Sequence, residues 1–192
     1  MSSSLSWSKH IRKVARRASQ RLGVLFRARA YFNPEQLLLL YKAQVRPVME
    51  FCSHIWSSGP KSDLAILDRI QRKAIRLIGD TALTSNLASL GHRRAVSCLS
   101  LFYRYYHGLC SEELVSITPC PRAFTRSTRG SSSSNPYLVS IPRCRTDQFK
   151  RSFFLRTAKL WNSLPLEVFP ASVSLDAFKR AINKVPLNLN EF

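Results

Sequence analysis

Ten cations at helical spacing carry most of the chemistry in this sequence: Arg12, Lys13, Arg16, Arg17, Arg21 and Arg27 in one run, and Arg69, Arg72, Lys73 and Arg76 in a second. Arrays of this kind hold phosphates, Arg through forked hydrogen bonds and Lys as a point charge. They neutralise a nucleic-acid backbone without reading its sequence. The first 34 residues contain eight Lys/Arg and no acid, the first carboxylate being Glu35. Asp68 is the only acid near the second run. A charge run on one helix is ordinarily a solvated face, and two such faces in one bundle leave a polyanion partner and a solvated surface equally open.

No residue set suits catalysis. Two-metal chemistry needs carboxylates close enough to share divalent ions. The 11 acids are scattered, and the only adjacent pair, Glu112-Glu113, falls at an expected helix start, where acids complement the helix dipole. The chain has no Gly-rich phosphate loop and no Gly-x-Ser-x-Gly elbow. Its five cysteines (Cys52, Cys98, Cys110, Cys120, Cys144) form no Cys-x-x-Cys pair and no zinc-ligand spacing with His10, His54, His92 or His107. The expectation is a binding protein rather than an enzyme, with no metal site and no cofactor. Its thiols read as reduced, in the nucleus or cytoplasm.

At 192 residues with 45% hydrophobic and 10% aromatic content, the chain can bury a substantial core. A net charge of +19 points to nucleic acid or an anionic membrane surface. No apolar run approaches the roughly 18 residues of a membrane span. On charge the expected partner is nucleic acid, with the choice among RNA, an RNA–DNA hybrid and duplex DNA left open at this point, and no membrane. A Ser- and Arg-rich, acid-free start also matches a mitochondrial transit peptide, so a mitochondrially targeted helical protein is an alternative. Against it, the apolar stripe of the first helix runs on into a second helix that needs a packing partner.

The elements that must position these cations follow from period and punctuation. Ile11, Val14, Ala15, Ala18, Leu22, Leu25 and Phe26 form a helical apolar stripe, with Ser8 as its cap and an end near Tyr31. Arg12, Lys13, Arg16 and Arg27 fall opposite the stripe, with Arg17 and Arg21 on its shoulder. Asn33-Pro34-Glu35-Gln36 is a capping-box start for a second helix over 34–57, kinked by Pro47. That helix is apolar on several sides, including Phe51 and Ile55. Ser62 and Asp63 open a third helix that Gly79 closes, its face of Leu67, Ile70, Ala74, Leu77 and Ile78 opposite the second basic run.

Further on, a short helix around Leu87 and Leu90 is broken by Gly91-His92-Arg93-Arg94, and an apolar helix follows over 95–109. Its tyrosines, Tyr103, Tyr105 and Tyr106, read as core, with base stacking as the alternative. Residues 119–136 have the Pro, Ser and Arg content of a flexible basic linker. Residues 137–141 and 146–154 read as a β-hairpin about Pro142-Arg143-Cys144-Arg145, followed by helices over 155–163 and 174–183 and a frayed tail from Val185. The predicted fold class is mainly α: an antiparallel helical bundle followed by a small α+β C-terminal segment with one β-hairpin. The predicted division is 1–80, a three-helix basic bundle; 81–118, a helical extension; 119–136, the linker; and 137–192, the C-terminal segment.

Several strings, in order, resemble a known family. They are "SLSWSKHI" (Ser4 to Ile11), "ASQRLGVLFRARAYF" (Ala18 to Phe32), "LLYKAQVRPVMEFCSHIW" (Leu39 to Trp56), "LDRIQRKAIRLIGD" (Leu67 to Asp80), "SLGHRRAVSCLSLFYRYYHGLC" (Ser89 to Cys110) and "RTAKLWNSLP" (Arg156 to Pro165). Together they resemble the C-terminal third of reverse transcriptases of non-LTR retrotransposons, in particular jockey-type LINE elements. The resemblance implies that the Leu5-x-Trp7-x-x-His10-Ile11 stretch follows the primer grip, and that the helices after it form a thumb holding the template–primer duplex. It implies that the fingers and palm, with the paired aspartates of the Phe/Tyr-x-Asp-Asp motif, lie upstream of Met1. The chain would then be a non-catalytic fragment of an RNA-directed DNA polymerase, with the missing palm as its protein partner. The Cys/His knuckle of some LINE elements does not carry over, because its ligand spacing is missing. A decayed element product with no selected activity is the alternative.

Overall fold

A computed structural model of the chain describes residues 6–116, 121, 135–187 and 189. Helix α1 (Ser8–Ala28) buries Ile11, Ala15, Ala18, Leu22 and Leu25, the spacing of one helix face. Ser8 does not cap it: Trp7 holds the N-cap position without a side-chain capping bond, and the Ser6 hydroxyl accepts the Ser8 N–H at 3.4 Å. Phe26 is a larger departure, since 54% of it is exposed although it belongs to the apolar stripe.

The capping box forms as its residues dictate. The Asn33 side chain accepts the Gln36 N–H at 2.9 Å, the Gln36 side chain accepts the Asn33 N–H at 3.0 Å, and Pro34 takes the first position of α2 (Pro34–Leu40). Pro47 has no N–H to donate to the Ala43 carbonyl and crowds it. The turn before it is widened into a π-turn, Tyr41–Val45, where the Arg46 N–H bonds the Tyr41 carbonyl. Helix α3 (Arg46–Glu50) then ends the run earlier than predicted. Phe51 (φ −56°, ψ 124°) and Cys52, left-handed at φ 50°, form a turn, and a separate short helix, α4 (Ser53–Trp56), follows. Phe51 and Ile55 consequently lie exposed outside the core. The Trp56 indole closes this corner by donating to the Phe51 carbonyl at 2.9 Å.

Helix α5 (Lys61–Ile78) ends at Gly79, whose φ of 73° is the left-handed C-cap that glycine adopts without strain. The loop before α5 touches α1: a Cβ on Gly59 would lie 2.3 Å from the Ile11 side chain. The Arg21 guanidinium donates to the Gln44 carbonyl at 2.7 Å, and Leu37 and Leu38 cluster with Ile78. Arg12 meets Asp63 at the other end, so α1 and α5 run the same way, with α2 and α3 returning. Ile11, Leu22, Tyr41, Val45, Met49, Trp56, Leu67 and Ile70 share one core cluster.

After α6 (Thr81–Thr84), α7 (Leu90–Tyr106) passes straight through Gly91–Arg94, where the sequence predicts a break. These residues form its first turns, with the Ser89 hydroxyl accepting the His92 N–H at 3.1 Å. Arg93 holds Glu50 through both guanidinium arms, Nη2 lying 2.9 Å from Oε2, and Arg46 Nε lies 3.8 Å from the same carboxylate. Beside this network Tyr41 is buried, and among the described residues its hydroxyl has no hydrogen-bond partner. Burial pushes its phenol up to about 12, with Arg46 opposing and Glu50 adding to the shift. A buried hydroxyl without a partner is destabilising, so Tyr41→Phe is expected to raise stability by about 1 kcal/mol. The readout is a higher urea midpoint at unchanged slope; a lower midpoint would mean that the hydroxyl has a stabilising role.

The chain divides into two compact units, Met1–Arg94 and Ala95–Phe192, and the division falls within α7. The second unit also contains α8 (Glu112–Ser116), α9 (Asp147–Lys150), α10 (Phe153–Asn162) and α11 (Leu175–Lys184). Its core joins Leu99, Phe102 and Tyr103 of α7 to Trp161, Phe169, Phe178 and Ile182. Tyr103 is thus a core residue, and its hydroxyl accepts the Ser174 N–H at 3.0 Å. Val185 and Leu187 pack against the same cluster where a frayed tail is predicted. The predicted linker 119–136 lies outside the described residues except for Pro121, Asn135 and Pro136.

The predicted hairpin does not form. Residues 146–154 are helical over most of their length, because the Thr146 hydroxyl caps the Phe149 N–H at 3.3 Å and Asp147 takes the first turn of α9. The other half, around Val139, is extended, but the Asn162 side chain satisfies both backbone groups of Val139, each at 2.9 Å. One isolated bridge, Pro121 to Val139, is the β pairing among the described residues. The chain is mainly α.

Candidate nucleic-acid interface

Of the ten cations on α1 and α5, eight lie away from the buried faces of those helices, and Arg17 and Arg21 lie on the shoulder of the buried face of α1. At 3.6 residues per turn, Arg69, Arg72, Lys73 and Arg76 fall within an arc of about 100°, and Arg12, Arg16 and Arg27 within about 60° on the side of α1 that meets α5. Arg17 and Arg21 lie further round, toward the α2–α3 run, with Lys13 between the two groups. Nine of the ten are exposed, and Arg21 is half-buried. Among the described residues, the side chains of Lys13, Arg16, Arg17, Arg27, Arg72 and Lys73 make no hydrogen bond or ion pair. Arg69 and Arg76 bond only carbonyls of their own helix through Nε, at 3.4 and 3.5 Å.

Two of the predicted contacts have structural work instead. Arg21 ties α1 to the π-turn through Gln44. Arg12 Nε lies 3.2 Å from the buried carboxylate of Asp63, in the first turn of α5, where the helix dipole also favours an anion. A hydrogen bond from the Ser8 side chain, joined by Arg12, holds the Asp63 carboxyl below its ordinary value of 3.8, against the opposing effect of burial. A depressed folded-state pKa means stabilisation that is complete above the unfolded value and lost as pH falls through the folded one. Asp63→Asn is therefore expected to lower stability at neutral pH and to flatten its decline below about pH 4. Urea unfolding at stepped pH reads this, and an acid limb as steep as the parent's would exclude the clamp.

Between α1 and α5 lies a groove of about 390 Å³. From α1 come Ser19, Leu22, Gly23 and Phe26; from α5 come Lys73, Arg76 and Leu77. Its floor is mostly apolar, two cations stand on one wall, and no acid lines it. Arg29 covers one face of the Phe26 ring, its guanidinium carbon 4.0 Å from the centroid. Gly23 leaves the floor open: a Cβ there would meet only Arg27 Nη1, at 3.8 Å. Sequence reasoning did not find this groove, although a signal exists. A glycine deep inside a strong helical pattern costs helix stability and commonly marks close packing or a site.

Among the described residues no group of three His, Cys, Asp or Glu side chains could hold a metal ion, and no helix is long and apolar enough to cross a membrane. In comparisons with protein-family models, with curated proteins and with solved structures, nothing matches this chain.

Proposed function

We propose that the exposed faces of α1 and α5 bind the phosphate backbone of RNA, an RNA–DNA hybrid or duplex DNA, as the thumb of a non-LTR reverse transcriptase holds template and primer. In this reading the chain is a non-catalytic part of such a polymerase. The observation that carries it is the set of eight exposed cations not tied to another helix, on two neighbouring helix faces that hold no acid beside them on α1 and only Asp68 on α5. Contacts of this type grip a duplex without choosing a sequence.

Arg12 and Arg21 are removed from the contact set because they hold the helices together. The reading keeps Lys13, Arg16, Arg17, Arg27, Arg69, Arg72, Lys73 and Arg76. If about six phosphates are neutralised, affinity for a blunt RNA–DNA hybrid falls roughly a thousandfold between 50 and 200 mM salt. Fluorescence anisotropy over a salt series reads that slope. An affinity that does not change with salt would refute the proposal.

A further inference from the structure

We infer that the groove between α1 and α5 takes an unpaired nucleobase, with the adjoining phosphate held by Lys73 and Arg76, so that the protein prefers a duplex carrying a single-stranded overhang. This rests on the backbone-binding reading of the same helices. The groove combines two features that a nucleotide needs at once: an apolar floor with an aromatic edge, and paired cations beside it. Phe26 is exposed and lines the groove, with the Arg29 guanidinium over its ring, so an aromatic surface for stacking stands at the groove's edge. A volume of about 390 Å³ lies in the range of small-ligand sites. An acidic amphipathic helix, about 10–12 Å across with its side chains, would enter such a groove by a side chain only.

Gly23 supplies the decisive variant. A Cβ there meets nothing closer than 3.8 Å, and leucine extends it over the floor and is the better helix former, so Gly23→Leu is expected to leave the thermal midpoint equal or higher. Phe26→Ala is the second variant, removing the stacking surface from an exposed position.

The full chain is titrated with three labelled hybrids: blunt, with a short single-stranded overhang, and with the same overhang made abasic. The overhang is expected to bind about tenfold more tightly than the abasic form, which has equal charge. Both variants are expected to abolish that difference while keeping the affinity and salt slope of the blunt hybrid. Equal affinity for the normal and abasic overhangs, or a preference that survives Gly23→Leu and Phe26→Ala, would overturn the inference while the backbone reading stands. Failure to bind any of the three would overturn both. Displacement of the overhang by an acidic amphipathic peptide that Gly23→Leu no longer binds would assign the groove to a peptide and overturn the base-binding inference.

Discussion

Replacing Arg16, Arg27, Arg69 and Arg72 together with alanine is expected to halve the salt dependence of duplex binding, from about three orders of magnitude to about one and a half between 50 and 200 mM. The expectation follows from counterion release. Each phosphate neutralised contributes about 0.9 to the slope of log affinity against log salt, so removing half of the eight contacting cations takes about six neutralised phosphates to about three and leaves a slope near −3. These four are chosen because none lines the groove and none joins α1 to α5 or to the π-turn, unlike Arg12 and Arg21. Alanine is the best helix former, so both helices keep their local propensity and the fold is expected to persist. A variant with the parent slope would show that these faces are only solvated. Arg12→Ala tests something else, because it leaves the buried Asp63 carboxylate without its guanidinium and weakens the fold rather than the grip.

The largest expected effect on stability is at Trp161. Its side chain is fully buried, its indole N–H donates to the Tyr137 carbonyl at 2.7 Å, and its ring lies 5.0 Å from Phe102, 5.2 Å from Tyr106 and 4.9 Å from Phe169. Trp161→Ala is expected to cost about 3–5 kcal/mol, the lost transfer energy plus the cavity left among aromatic rings that cannot all close inward. Domains are commonly stable by only about 5–15 kcal/mol, so the change would populate unfolded forms of the second unit at physiological temperature. Trp161→Phe keeps most of the ring volume but leaves the Tyr137 carbonyl unpaired, and its cost is expected to be about 1–2 kcal/mol. Urea midpoints of the two variants separate these causes, and near-equal losses would argue that the hydrogen bond rather than the packing dominates.

Local rules made much of the fold legible. The capping box at Asn33 and Gln36, the left-handed Gly79 and the Ser174 hydroxyl capping Ala177 all occur where residue type requires them. Of the misread segments, one has a local cause and one does not. Residues 146–154 read as the second strand of a hairpin, yet Thr146-Asp147 carries the chemistry of a helix start. Gly91 does not break α7, because the turn that contains it is held by Ser89 and by the pair of Arg93 with Glu50. Arg93 and Glu50 are 43 positions apart, so this anchor depends on packing that no local window contains.

The sequence by itself determined which residues lie on one side of each helix, and therefore that two basic faces stand opposite two apolar ones. A 3.6-residue period converts position directly into angle about the helix axis. It says nothing about what lies at the far end of that angle. Only the tertiary structure decided that Arg12 and Arg21 hold helices together while Arg16 and Arg72 face water, and that Phe26 stays exposed beside the missing side chain of Gly23. Those outcomes depend on which elements meet and in what direction. Here α1 and α5 run the same way, which sets Lys73 and Arg76 beside Phe26.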